Sequence, residues 1–321
     1  MTNPRHARET ENGRYYEIPG VDRQLVSVTN ANSVALAKYG LPLWYANLAT
    51  DAAWSNLPRM AYALRRQLCE ASTTDDRCGV CRDCVTRDIK GAAEASRDSA
   101  SALGSRVHDL AEAHVLGRPI DEMPGDDEAG LYVAQYIRFL EDFDVDLERD
   151  VVATEMTVFD EHAGYAGTLD VILRLPFDGW TFTADKGGVP RLGKTRKVTD
   201  PEQRGRFLLD IKTSRKRGVT QSYPENVLQV TALRHAKRLV LPDDTTAPMV
   251  TGITGTGTIQ LRANRYAVIP LPSRTQEMRT FLRVLEMTRW VHDVWPGDYD
   301  YRPMTPSGAP TPKRQRKTAE Q

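Results

Sequence analysis

Two short apolar runs carry acidic residues where strand geometry could make them act together: Gly167-Thr-Leu-Asp170-Val-Ile172 and Leu208-Leu-Asp210-Ile-Lys212-Thr213. Both are rich in β-branched or large apolar residues and bounded by glycine, proline or charge, so both read as strands. Alternation along a strand sends Asp210 and Lys212 to one face and turns Ile211 into packing. If the Asp170 strand lies beside this one, the two aspartates converge at one end of a sheet. Carboxylates held close repel each other unless a cation sits between them, and hard oxygen ligands suit Mg²⁺ or Mn²⁺. A lysine two residues from such a ligand orients or deprotonates a water and stabilises charge developing on a phosphate. That is a hydrolytic site in outline. A lone Asp-x-Lys is more often a solvated strand face; the upstream Gly-x-x-Asp strand gives the pair its weight.

A second constellation lies upstream. All four cysteines, Cys69, Cys78, Cys81 and Cys84, fall in one short window, and two-residue gaps gather thiolates around one metal centre. In a reducing compartment disulfides are not expected. Four thiolates would hold a structural Zn²⁺ tetrahedrally, while the consecutive Cys-x-x-Cys-x-x-Cys spacing also suits a 4Fe–4S cluster. The spacing leaves both open.

The elements that position these residues follow the apolar pattern. Tyr15 to Val28 reads as a hairpin turning at Pro19-Gly20, and residues 30–68 as helical, with Leu36, Leu43, Trp44, Leu48, Trp54, Leu57, Met60 and Leu64 as core candidates. An Ala-rich charged stretch up to Leu116 reads as one or two helices, placing His108 and Glu112 four apart on one face. Residues 129–143 make a further amphipathic helix. Val151 to Phe159 is a strand carrying Glu155, which lies either near the metal or at a sheet edge. Between the two acidic strands, Lys194, Arg196 and Lys197 form a basic stretch that is either solvated surface or a phosphate contact. Pro224 to Leu239 is a helix with proline in its first turn. Met249 to Leu261 and Arg265 to Leu271 are strands, with a covering helix over Thr275 to Val294.

The pattern Gly-Thr-Leu-Asp170 followed by Asp210-Ile-Lys212-Thr resembles the core of the PD-(D/E)XK nuclease superfamily, in its RecB-like exonuclease branch of phage and actinobacterial type, related to CRISPR-associated RecB-like exonucleases. That branch adds an upstream helix with a histidine, matched by Gly104-Ser-Arg-Val-His108, and a downstream helix with a glutamine, matched by Tyr223-Pro-Glu-Asn-Val-Leu-Gln229. The likeness spans residues 104–236. The branch continues Gln-x-x-x-Tyr where this chain has Leu233, which removes one hydroxyl; Tyr223 is a candidate to supply another. The resemblance implies an α/β, restriction-endonuclease-like core: a central mixed β-sheet flanked by helices, preceded by a helical, cysteine-bearing N-terminal region. It implies a Mg²⁺-dependent deoxyribonuclease, an exonuclease rather than an endonuclease. His108, Asp170, Asp210 and the Ile211 carbonyl would hold the metal, Lys212 would position the attacking water, and Gln229 would bond near the site. Glu112, Glu155 and Tyr223 are accessory candidates.

The expected division is 1–100, the cysteine-bearing region; 101–302, the nuclease core; and 303–321, a disordered basic tail. At 321 residues and 40% hydrophobic, the chain can bury a substantial core, and 43 basic residues balance 43 acidic ones, which excludes a uniformly basic surface. No apolar run reaches membrane-span length and no signal-peptide core follows Met1, so a cytoplasmic, soluble protein of a bacterium or a phage-infected host is expected. The chain is read as having no Gly-x4-Gly-Lys-Ser/Thr loop, so unwinding is expected from a helicase or recombination partner on DNA. Two other classes remain: an inactive nucleic-acid-binding protein of the same fold, or a four-cysteine metal protein with an interaction or regulatory role.

Overall fold

The computed structural model describes residues 4–36, 38, 40–65, 77–118, 128–294 and 306. In chain order it builds β1 (Ala7–Thr10), β2 (Gly13–Tyr16), β3 (Leu25–Ser27), α1 (Val28–Ala35), α2 (Gly40–Ser55), α3 (Leu57–Ala63) and α4 (Arg82–Val115). Next come α5 (Glu128–Asp142), α6 (Leu147–Asp150), β4 (Val151–Asp160), β5 (Tyr165–Leu175) and a small hairpin of β6 (Phe182–Ala184) and β7 (Pro190–Leu192). The described chain closes with β8 (Gly205–Thr213), α7 (Pro224–His235), β9 (Arg238–Val240), β10 (Thr246–Pro248), β11 (Ile253–Arg262), β12 (Arg265–Pro270) and α8 (Thr275–Arg289). Every strand except the β6–β7 pair joins one large mixed sheet, so the protein is mixed α/β.

The sheet forks at β5. On one edge β5 pairs antiparallel with β4 almost throughout. On the other, its first residues pair parallel with β3 (Val26 with Tyr165, Ser27 with Ala166), and its later ones pair antiparallel with β8, from Val171–Leu209 to Leu175–Gly205. Residues 167–170 have no ladder partner on that edge among the described residues. β8 continues past the fork, flanked on its far side by the parallel β11. Backbone groups released where a ladder stops need other partners, and the candidate site is built around that need.

Helices cover both faces. Val107, Leu110, Tyr132, Tyr136 and Phe139 of α4 and α5 pack on Val171, Leu173, Phe207, Leu209 and Ile211. Val230 and Leu233 of α7 pack on Leu169, Ile172 and Leu208. Strict alternation would place Leu169 and Val171 on the same face; they lie in opposite clusters, so the pleat is interrupted around Asp170. Opposite Asp170 on β4, Glu155 takes a φ of 45°, in the left-handed region uncommon for a residue with a β-carbon.

Several expectations change. The first strands belong to the sheet that carries the site, and α4 runs unbroken across residue 100, so the cysteine-bearing region and the core share one element. Of the expected core in α2 and α3, Leu43, Trp54, Leu57, Met60 and Leu64 are exposed, and α2 has no buried residue. Its apolar residues encircle the helix instead of forming a stripe, so no single packing face can cover them. The basic tail 303–321 lies outside the described residues apart from Pro306. No described helix is long and apolar enough to cross a membrane.

Candidate metal centre and active site

At the fork, the Asp170 carboxylate replaces the missing ladder bond: its Oδ2 accepts the Ile211 N–H at 2.5 Å. The Ile211 carbonyl lies 3.2 Å from Nε2 of His108 on α4. Helix and strand lie close there: a β-carbon on Gly104, one turn earlier on α4, would sit in ordinary contact with Thr213. The other imidazole nitrogen, Nδ1, stands 3.5 Å from both Asp170 Oδ1 and Glu155 Oε1. One ligand atom each from His108, Glu155 and Asp170 lies within 4.8 Å of the others, close enough to hold a metal ion.

Asp210 and Lys212 face α7, because Ile211 between them is committed to the α4–α5 side. Lys212 Nζ is 2.7 Å from Asp210 Oδ2, an ion pair off the line of a hydrogen bond. Gln229 on α7 joins the two: its Nε2 donates to Asp210 Oδ1 at 2.8 Å, and its Oε1 accepts from Lys212 at 3.1 Å. Side chains from both faces therefore meet edge-on at the fork, His108 from one side and Gln229 from the other.

The electrostatics favour a cation. Asp210 is 1% and Asp170 9% exposed. Burial pushes Asp210 up to about 6 despite the Lys212 ammonium. Burial also raises Asp170, against the opposing pull of His108. Burial disfavours a charged His108, but the carboxylates of Asp170 and Glu155 outweigh it and raise its pKa to about 9. The same balance holds at Lys212, where burial is overcome by Asp210 and Asp170 and the pKa is raised. Without a metal, a proton on His108 neutralises part of the carboxylate charge; a divalent ion could replace it. Two carboxylates and an imidazole are ligands such an ion accepts.

Glu155, which the sequence placed either near the metal or at a sheet edge, enters this cluster. Its strained backbone fits a position over-determined by its surroundings. Asp210 contributes its charge through Lys212 and Gln229 and lies outside the closest ligand group. Glu112 is turned away, 3.9 Å from Arg118. Tyr223 caps α7, its hydroxyl without a hydrogen-bond partner among the described residues. Leu233, standing where the resemblance expects tyrosine, packs in the core over Gly167. Tyr136 went unnoticed in the sequence: this buried phenol on α5 is pushed up by burial and by the nearby charges of Asp170 and Glu155. Its apolar helical pattern hid it as an ordinary core residue.

Lys194, Arg196 and Lys197 follow the β6–β7 hairpin and are exposed, with Lys197 bridged to Phe177 beyond the end of β5. β8 enters at Gly205 beside Phe177, and at about 3.4 Å per residue Asp210 lies ~17 Å further along it. Arg196 is paired with Asp178 at 3.2 Å. The hairpin also requires a correction: Gly188-Val-Pro-Arg-Leu-Gly-Lys-Thr195 does spell Gly-x4-Gly-Lys-Thr. A phosphate cradle needs free amides opening a helix. Here β7 occupies the motif, and the amides of Gly188, Val189 and Gly193 are used by Asp185 and Thr181.

Cys78, Cys81 and Cys84 cluster at the start of α4, their sulfurs within 4.8 Å of one another, where they could bind a metal. Cys81 caps the helix and its N–H points at the Cys78 sulfur, 3.4 Å away. Arg59 on α3 braces the turn, its Nε donating to the Gly79 carbonyl at 3.1 Å. Cys69 lies outside the described residues. No protein-family model matches the chain, and no curated protein matches it.

Proposed function

We propose that this chain is a metal-dependent deoxyribonuclease with a restriction-endonuclease-like core of the RecB-like type, more fitted to exonuclease than endonuclease action. The observation that carries the reading is the meeting at one fork of His108, Glu155 and Asp170 with the Asp210–Lys212–Gln229 trio. Two carboxylates and an imidazole fit Mg²⁺ or Mn²⁺, with the Ile211 carbonyl beside them. Such an ion, when bound, supplies Lewis-acid polarisation of a phosphoryl oxygen and acidifies a water. Lys212 orients the nucleophile and stabilises developing negative charge, while Asp210 and Gln229 fix its ammonium in place. Asp170 keeps Ile211 at its place through the N–H bond, so the carbonyl and His108 stay aligned.

The cysteine cluster is proposed as a structural centre holding Zn²⁺ or a 4Fe–4S cluster, with Cys69 as fourth ligand. DNA is the proposed substrate, in a cytoplasmic setting, with a helicase or recombination protein as the source of unwinding. The test is digestion of end-labelled linear and covalently closed DNA with Mg²⁺, beside an Asp170→Asn control. Cleavage of linear DNA alone supports the exonuclease. Cleavage of both makes it an endonuclease, and no cleavage of either rejects the reading.

A further inference from the structure

We infer that the loop joining β8 to α7, residues 214–222, holds the phosphodiester backbone of the nucleic acid, with Lys216 and Arg217 as its phosphate contacts. The inference rests on the nuclease reading above and gives that site its substrate surface. The loop starts two residues after Lys212 and ends at Tyr223, the cap of the helix that carries Gln229. Both of its ends are therefore fixed by residues of the site.

Its backbone is held from below. Arg262 on β11, 7% exposed, donates from Nε to the Arg217 carbonyl at 2.7 Å and from Nη2 to the Gly218 carbonyl at 2.9 Å. Burying a guanidinium is costly unless its donors are used, and here they fix a surface loop. Arg215 acts as a strut, with two 2.6 Å bonds to Glu128 on α5 and one of 3.1 Å to Ser99 on α4. Lys216 and Arg217 remain exposed, with no ion pair among the described residues. Arg217 lies 4.5 Å over the Tyr223 ring, a contact that orders the guanidinium without consuming its N–H donors.

Two unpaired cations on a pre-ordered loop suit a polyanion, because little ordering entropy remains to be lost on binding. They also offset the carboxylates of the site, which by themselves repel a phosphodiester. Lys216 is four residues on from Lys212, a reach of at most ~14 Å, or about four nucleotide steps at ~3.4 Å each. By contrast, two of the basic residues on and after the β6–β7 hairpin are taken, Arg191 by Asp185 and Arg196 by Asp178, and that hairpin lies by the far end of β8.

The experiment is fluorescence anisotropy of a labelled DNA duplex with the full chain, in Ca²⁺ across a KCl series, alongside Mg²⁺ cleavage. K216A/R217A is expected to flatten the plot of log affinity against log salt by about two contacts, roughly 0.9 each. K216A alone, which removes a side chain with no partner to lose, is expected to flatten it by about one and answers for a double variant that folds poorly. K194A/K197A is expected to leave the slope unchanged. Wild-type slopes in K216A and K216A/R217A, or a loss confined to K194A/K197A, overturn the inference while the nuclease reading stands. A wild-type protein that neither binds nor cleaves DNA overturns the nuclease reading itself.

Discussion

At the scale of single residues, the site divides into groups that hold charge near a cation and groups that act on it through each other. Asp170 does two things: it faces His108 and Glu155, and it satisfies the Ile211 N–H. Lys212 touches neither His108 nor Glu155; its partners are Asp210 and Gln229. The two positions should therefore fail differently. Asp170→Asn is expected to lose Mn²⁺ binding and hydrolysis together, whereas Lys212→Ala should bind Mn²⁺ normally and cleave about 10²–10⁴-fold more slowly, the usual range for a lost acid–base group. Calorimetric metal titration beside single-turnover cleavage separates the two. A Lys212→Ala protein cleaving at the wild-type rate places the chemistry elsewhere.

At the scale of elements, two joints hold together the strands and helix that carry the site. The first is the buried pairing of Asp150, at the head of β4, with Arg204, just ahead of β8, at 3.0 Å. Asp150 also pairs with Arg149 at 2.6 Å and accepts the Asp146 N–H. Burial alone would raise its pKa, but these partners outweigh it and hold the carboxyl below the ordinary range. Such a group adds stability above the unfolded-state carboxylate pKa and loses it as pH falls through the lower folded value. Asp150→Ala should cost about 1–3 kcal/mol at neutral pH, since Arg204 keeps its bonds to Asp144 but loses its buried carboxylate partner. Urea unfolding of wild type and Asp150→Asn should also show a smaller acid-induced loss in the variant; equal losses rule out this pairing as the source. The second joint is α7 against β5, tied by the Tyr165 hydroxyl to the Ala232 carbonyl at 3.0 Å. A β-carbon on Gly167 would stand 2.8 Å from Leu233 and 3.2 Å from Val28. Gly167→Ala should cost about 1–3 kcal/mol through overpacking and, by lifting Gln229 from Lys212, slow cleavage as well. Denaturant midpoints and cleavage rates measured on one preparation test both effects.

At the scale of the whole molecule, α4 links the two clusters. At about 1.5 Å per residue, ~36 Å of helix separates Cys84 from His108. A metal at the cysteines fixes one end of that helix without reaching the other. Cys78→Ser, Cys81→Ser and Cys84→Ser combined should abolish the bound metal by elemental analysis and lower the thermal midpoint, because a structural metal contributes to folding. Mn²⁺ affinity at the distant site should be unchanged at temperatures where the triple variant is folded. Loss of that affinity by the folded variant would show that the helix couples the clusters.

What could be read in the sequence was short-ranged. The Asp210–Lys212 strand, the His108 helix and the Gln229 helix are written in apolar spacing of two or about 3.6 residues, and the structure has each of them. The gathering of Cys78, Cys81 and Cys84 follows from their spacing along one turn and the start of a helix. Pairing and register are not local, and they decided the rest. Glu155 joins the cluster only because β4 lies opposite Asp170 and bends there. Glu112, sharing a helical face with His108 by spacing, stands one turn further along α4 and faces Arg118 instead. The basic residues near 196 lie close to the acidic strands in sequence, yet the antiparallel run of β5 and β8 carries them to the opposite end of the sheet. The loop that follows β8 leaves instead from the end of the strand that carries Lys212. Local spacing fixes which way a side chain points along its own element; only the partners that element finds across the sheet fix what it points at.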